Sequence, residues 1–230
     1  MTLEIRKLCA GYGGERVLEN INLTIADGEF VSVLGKSGCG KSTLLGALAG
    51  TVPYEGAVLC DGFPLCGPSE TLIYMPQDDL LFPWLTVLEN ALLYPAVHGK
   101  KRENRERAMR LLREFGLSGY ERRYPSKLSG GQRQRVAFAR TALSPAAFML
   151  LDEPFAALDP VTRSELRVWL QKQRSRLGKS AIFVTHDIDE AIEITDRVLV
   201  LRGRPAALDG EFRTDDPKAR VRIFEYLHEK

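Results

Sequence analysis

The run Gly35-Lys36-Ser37-Gly38-Cys39-Gly40-Lys41-Ser42-Thr43 constrains this chain more than any other stretch. It fits G-x-x-x-x-G-K-[ST], the pattern of a loop that cradles phosphate, and it has the flanks that the pattern requires. Phe30-Val31-Ser32-Val33-Leu34 reads as a buried strand running into the loop, and Ser42-Thr43-Leu44-Leu45 opens a helix expected to end near Gly50. Glycines at 35, 38 and 40 let the loop wrap tightly, so that backbone N–H groups from Gly38 to Ser42 converge on phosphate oxygens at a helix N-terminus. Lys41 is expected to bring a mobile positive charge, whereas the Lys36 side chain is expected to point to solvent.

The rest of the chain fits an α/β protein with a mainly parallel sheet. Phe148 to Leu151 and Ala181 to Thr185 read as further buried parallel strands, separated by a helical pattern from Thr162 to Leu177. Residues Leu3 to Val33 read as short alternating strands broken at Gly11-Tyr12-Gly13-Gly14 and Ala26-Asp27-Gly28, which implies an N-terminal antiparallel β lobe. Between Val87 and Leu143 the pattern turns helical, and a helical lobe is expected there. Its charge-dense run from Lys100 to Arg113 mixes signs and reads as a solvated helix face. A mixed polar tail follows from about residue 202 to 230, and the whole is expected to form a single domain over 1–230.

Composition narrows the function. Lys and Arg number 32 against 30 Asp and Glu, so no nucleic-acid partner is expected from the overall field. Cys9, Cys39, Cys60 and Cys66 form no C-x-x-C pair, and one lies in the phosphate loop, which favours reduced thiols and a cytoplasmic setting. No run approaches the roughly 20 apolar residues of a membrane span, so no membrane-crossing segment is expected in these residues.

Chemistry gathers after the second buried strand, Phe148 to Leu151. Asp152 ends it and is expected to hold Mg²⁺ together with the Ser42 hydroxyl, while Glu153 is placed to accept a proton from attacking water. His186 follows Ile182-Phe183-Val184-Thr185 and should project from the carboxyl edge of the sheet, where ligands collect in open α/β folds. Ser129 stands three residues before Gln132, a capping-box pattern that opens an amphipathic helix from Arg133 to Leu143 and presents a positively polarised helix end.

Leu128-Ser129-Gly130-Gly131-Gln132, lying between the phosphate loop and Asp152-Glu153-Pro154, with Gln77 and His186 in order, makes the chain resemble the nucleotide-binding subunit of an ATP-binding cassette (ABC) transporter. The resemblance runs from Tyr12 to His186. It implies ATP and Mg²⁺ as ligands, with Tyr12 stacking on adenine, Gln77 sensing Mg²⁺ and the attacking water, and His186 contacting the γ-phosphate. Ala156-Ala157-Leu158-Asp159 resembles the family's D-loop. Ser129, Gly130, Gly131 and Gln132 then serve the ATP of an opposite subunit in a head-to-tail homodimer. Phe82, Pro83, Trp84 and Leu85 are expected to meet the transmembrane permease subunits, with a solute-binding protein as an indirect partner and the chain peripheral on the inner face of the membrane. The run from Leu80 to Asn90 is similar to its counterpart in nitrate, sulfonate and taurine importers. The alternative is a non-transport ABC-type ATPase that remodels a nucleic-acid or ribosomal partner.

Overall fold

Apolar residues at alternate positions build the first two strands. In β1 (Leu3–Tyr12) the side chains of Leu3, Ile5, Leu8 and Ala10 point inward, and in β2 (Glu15–Ile25) those of Leu18, Ile21, Leu23 and Ile25 do. The step from Ile5 to Leu8 breaks strict alternation because the register shifts there, with Lys7 in the left-handed region at φ 49°. The computed structural model describes residues 1–156 and 158–228. Ala157 of the D-loop-like run, and Glu229 and Lys230 at the chain's end, lie outside the described residues.

Strands β3 (Phe30–Leu34), β7 (Phe148–Asp152) and β8 (Ser180–Thr185) are buried along their whole length, the pattern of parallel strands covered on both faces. With β4 (Tyr54–Cys60), β5 (Phe63–Pro64), β6 (Leu72–Met75), β9 (Arg197–Gly203) and β10 (Ala206–Arg213) they form one sheet among the described residues. Its order is β5-β4-β1-β2-β10-β9-β3-β8-β7-β6. The long parallel ladders are β9 with β3, β3 with β8 and β8 with β7. Antiparallel pairs β1–β2, β1–β4 and β9–β10 form the other half. Phe30, Phe148 and Phe183 are fully buried, each contributing about 1.5–3 kcal/mol by leaving water.

The expected tail is folded. Residues 206–213 supply β10, which pairs with β9 along its length and touches β2 at Ala206, and Ala219–His228 forms α8. The sequence hid this strand because Asp209, Gly210 and Glu211 break the apolar alternation; a register shift at Leu208/Gly210 absorbs the break.

The chain divides into two compact units, Met1–Tyr74 with Ala146–Glu153 and Leu170–Lys230, and Met75–Pro145 with Pro154–Trp169. The first carries α1 (Lys41–Leu48) and α7 (Ile188–Ile194). The second carries α2 (Val87–Ala91), α3 (Leu93–Val97), α4 (Lys101–Glu114) and α5 (Gly130–Leu143). It starts earlier than the expected lobe and takes in Pro154–Trp169, part of α6 (Pro160–Leu177). Phe115, Phe138 and Trp169 form its aromatic centre, with rings 4.2–6.0 Å apart. Helix α4 buries only Ala108 and Leu112, so its charges are solvated. Helix α5 is less amphipathic than expected: eight of its residues are buried, Gln134 among them.

Candidate functional site

Register places the first unit's chemistry in one row. Leu34 pairs with Thr185 and Asp152 with Val184, so Gly35, Glu153 and His186 leave three adjacent parallel strands at the same carboxyl edge. The phosphate loop fills the space between β3 and α1. Gly40 caps α1 at φ 106°, and a Cβ there would also strike Val17 and Leu18 at 2.8–2.9 Å, so the position excludes side chains twice over. At Gly35 a Cβ would lie 2.7 Å from the Leu201 carbonyl and 2.6 Å from Cys39 Sγ. Burial pushes the Cys39 thiol up from its ordinary value, and nearby Lys41 opposes that shift. Lys36 and Ser37 are exposed, as expected for a loop that works through its backbone.

Lys41 is not the mobile charge expected. It is 6% exposed, and its Nζ donates to the carbonyl oxygens of Gly35 at 2.9 Å and Lys36 at 3.2 Å. The ammonium is stored inside its own loop, pre-positioned at the phosphate cradle. Ser42 stands exposed at the first turn of α1, and Thr43 is buried behind it.

Asp152 is buried at the end of β7. Tyr74, from β6, donates its hydroxyl to Asp152 Oδ2 at 3.1 Å, while Oδ1 is buried without a hydrogen-bond partner. Burial raises the Asp152 carboxyl from its ordinary value, and Ser42 and Tyr74 pull it back. An orphaned buried carboxylate oxygen beside a serine hydroxyl suits a hydrated divalent cation. Burial and the neighbouring carboxylate push the Tyr74 phenol well above its ordinary value, so it remains a donor.

Glu153 adopts φ 44°, a left-handed conformation that costs a non-glycine residue on the order of 1–3 kcal/mol. Its N–H donates to Val184 O at 3.0 Å, which holds the bend, and Oε2 lies 3.1 Å from His186 Nδ1. Asp187, next to the histidine, caps α7: its Oδ1 accepts from the N–H groups of Asp189 and Glu190 at 2.8 and 3.2 Å. Tyr12 ends β1 with its side chain 57% exposed, ahead of the left-handed pair Gly13 and Gly14.

The second unit holds the remaining expected residues. Ser129 is exposed and caps α5 with both halves of the capping box formed: Ser129 Oγ accepts from Gln132 N, and Gln132 Oε1 accepts from Ser129 N at 3.0 Å. Gly131 is packed so that a Cβ would meet Leu158 at 3.3 Å. Asp159 is exposed and accepts from Thr162 N at 3.0 Å, which caps α6 and holds its carboxyl below the usual carboxylate range. Gln77 is exposed. Trp84 is 68% exposed and Pro83 is exposed, which excludes the core role that aromatic residues more often take.

Sequence reasoning assigned no role to Tyr74, Asn90, Arg133 or Arg140. Asn90 is fully buried on α2; it donates to the carbonyls of Phe82, Leu85 and Thr86 at 3.0–3.1 Å and accepts from Phe82 N at 2.8 Å. One amide thus shapes the whole Phe82–Leu85 cluster. A lone Asn in the apolar run from Val87 to Leu93 was the available signal.

A glycine-looped phosphate cradle, a buried carboxylate and a Glu–His pair on the carboxyl edge of a parallel sheet define a P-loop nucleoside triphosphatase. Residues 18–156 match the model of the ABC transporter family, and the chain belongs to that family as an ATP-binding, ATP-hydrolysing subunit. Among relatives, it is 41% identical to the aliphatic sulfonates import ATP-binding protein SsuB of Cupriavidus pinatubonensis, over 95% of this chain and 72% of that one. It is 42% identical to the taurine import ATP-binding protein TauB of Escherichia coli K12, over 88% and 80%. Among solved structures, a dimeric post-hydrolysis state of the ATP-binding cassette MJ0796 bound to ADP and Pi superposes with a TM-score of 0.80 at 31% identity. It covers 92% of this chain and 98% of that one.

Proposed function

We propose that this chain is the ATPase of an importer whose cargo is a small solute of the sulfonate, taurine or nitrate kind. The relatives carry the cargo class, and they give no support to a nucleic-acid or ribosomal partner. Among the described residues no helix is long and apolar enough to cross a membrane, in keeping with a subunit docked on the inner membrane face against separate permease subunits.

The observation that carries the catalytic reading is the Glu153–His186 pair beside Asp152. Backbone donors of residues 35–43 and the Lys41 ammonium hold the β- and γ-phosphates, and Tyr12 stacks on adenine. Glu153 takes a proton from water as its oxygen attacks the γ-phosphorus; the bond to the β–γ bridging oxygen breaks, and ADP and phosphate leave. His186 orients Glu153 and contacts the γ-phosphate. Ser42 and Asp152 would hold Mg²⁺, with Gln77 as a further contact, and the ion would neutralise charge on the β- and γ-oxygens. Ser129, Gly130, Gly131 and Gln132, with Asp159, serve the ATP of a second, head-to-tail subunit. Phe82, Pro83, Trp84 and Leu85 dock the permease, which in turn meets the solute-binding protein.

The test is to co-purify the membrane subunits and solute-binding partner, screen sulfonates, taurine and nitrate by thermal shift, and then measure ATP turnover. One of these solutes should stabilise the binding protein and stimulate hydrolysis. Stimulation by nucleic acid instead would overturn the reading.

A further inference from the structure

Within the second unit, the segment between Gln77 and the docking cluster is fastened to one face of α5. Arg133 Nε donates to Asp79 Oδ2 at 2.8 Å, and its Nη1 reaches the Leu128 carbonyl at 3.1 Å. Seven residues on, and so on the same side of the helix, Arg140 donates through its two terminal nitrogens to Leu80 O and Asp79 O, both at 2.8 Å. Gln134, the buried neighbour of Arg133, points its amide at Gln77 O at 3.5 Å. Leu80 sits at φ 41°, a strained conformation for leucine, and its side chain is largely exposed, so the bend is held by the bond to its carbonyl and not by packing. Two residues later Asn90 takes over, binding Phe82 through Thr86.

From this geometry we propose that Arg140, with Arg133, is a positioning residue that makes the docking loop a rigid extension of α5, so that Trp84 moves with the helix that carries Ser129. The proposal rests on the docking role given to Trp84 above, and it adds the physical link by which a signature helix drawn onto ATP would displace that loop. A guanidinium suits the task because its planar fork aims two separate nitrogens in fixed directions, one at each carbonyl, whereas an ammonium presents its donors from a single point. Burial lowers the Arg140 pKa against the opposing Asp79 charge, so the guanidinium has exchanged water for these oxygens.

Trp84 is its own reporter once Trp169, the other tryptophan, is replaced by phenylalanine; Trp169 Nε1 has no hydrogen-bond partner, so no bond is lost. In that background Trp84 anisotropy should be that of an immobile side chain and should respond to ATP. Arg140→Met should lower it by roughly half, as for a loop moving on the nanosecond scale, and abolish the ATP response while ATP affinity is kept. Arg140→Lys should not restore either signal. With co-purified membrane subunits, stimulated turnover should fall while the KM for ATP holds. If Arg140→Met does not fold, Asp79→Asn, which weakens the Arg133 pair and removes the charge facing Arg140 while leaving the Asp79 and Leu80 carbonyls in place, should lower the anisotropy by a smaller amount. Unchanged anisotropy and ATP response in a folded Arg140→Met chain, or in Asp79→Asn where that is the one available, would overturn the proposal. Failure of the docking role is read separately, as normal assembly of Trp84→Ala, and leaves the anisotropy result untouched.

Discussion

The Tyr74 hydroxyl donates to Asp152 Oδ2 at 3.1 Å and leaves Oδ1 as the free face of the same carboxylate. Tyr74→Phe should let the carboxylate rotate and weaken Mg²⁺ binding at the nucleotide site by about 10-fold, the usual cost of losing a partner behind a metal-holding group. Calorimetric titration of Mg²⁺ into the nucleotide-bound chain reads this directly. A curve that overlays the parent's would remove Tyr74 from that role.

Burial raises the Asp152 pKa above its ordinary 3.8, so the native state binds that proton more tightly than the unfolded chain does. A raised folded pKa gives stability that is present in full below pH 3.8 and is lost as pH climbs through the folded value; above both, the buried charge is a net cost. Asp152→Asn should therefore melt higher than the parent at neutral pH, with the gap closing in acid, while Mg²⁺-dependent turnover disappears. Melting curves at several pH values decide it; a variant less stable at neutral pH would contradict the sign.

Glu153→Gln keeps the shape of the side chain and removes its proton acceptor. Turnover should fall by ~10²–10⁴ with ATP affinity retained, and ATP should trap a dimer visible by size-exclusion chromatography. Hydrolysis within a few-fold of the parent would assign the base elsewhere.

Lys41→Ala empties the phosphate cradle of its stored charge and should weaken ATP binding, while Ser129→Arg spoils the signature end of α5. Mixing the two should return some hydrolysis, because one of the two shared sites in each heterodimer is then intact in both motifs. Heterodimers confirmed by pull-down, yet wholly inactive, would count against shared sites.

Trp84→Ala should leave the melting point of the isolated subunit unchanged and weaken its assembly with the membrane subunits by about 2 kcal/mol, as for a buried interface aromatic. Asn90→Ala should do the reverse at first: it strips the loop of its buried partners and should cost about 1–3 kcal/mol in urea unfolding, because the orphaned peptide groups stay out of water. Equal melting losses in both variants would mean that Trp84 braces its own loop and does not dock the permease.

The phosphate loop, the three buried strands and the capping box at Ser129 were legible because each is a local pattern: a spacing, an apolar run, a Ser three residues from a Gln. What the sequence hid depends on partners far along the chain. Lys41 folds onto carbonyls that any loop would possess, and Tyr74 meets Asp152 across 78 residues of sequence. Arg140 reaches back 60 residues to Leu80, and α5, read as amphipathic, is buried around most of its circumference because Gln134 and Thr141 satisfy their polar atoms inside. β10 reads as a tail in the sequence because its Asp-Gly-Glu break looks like a loop until β9 is there to pair with it.

Strand β10 stands between β2 and β9 in the sheet, although it comes last of the ten in the sequence. On the ribosome, the edges of β2 and β9 therefore wait for residues 206–213 to emerge, and at ~5–20 residues per second β2 waits on the order of ten seconds or longer. Through that interval the nascent chain displays an unpaired strand edge, the template on which neighbouring chains aggregate. Stop codons or frameshifts just upstream of Ala206 should accordingly yield chains with an intact phosphate loop that are recovered with chaperones and in inclusion bodies.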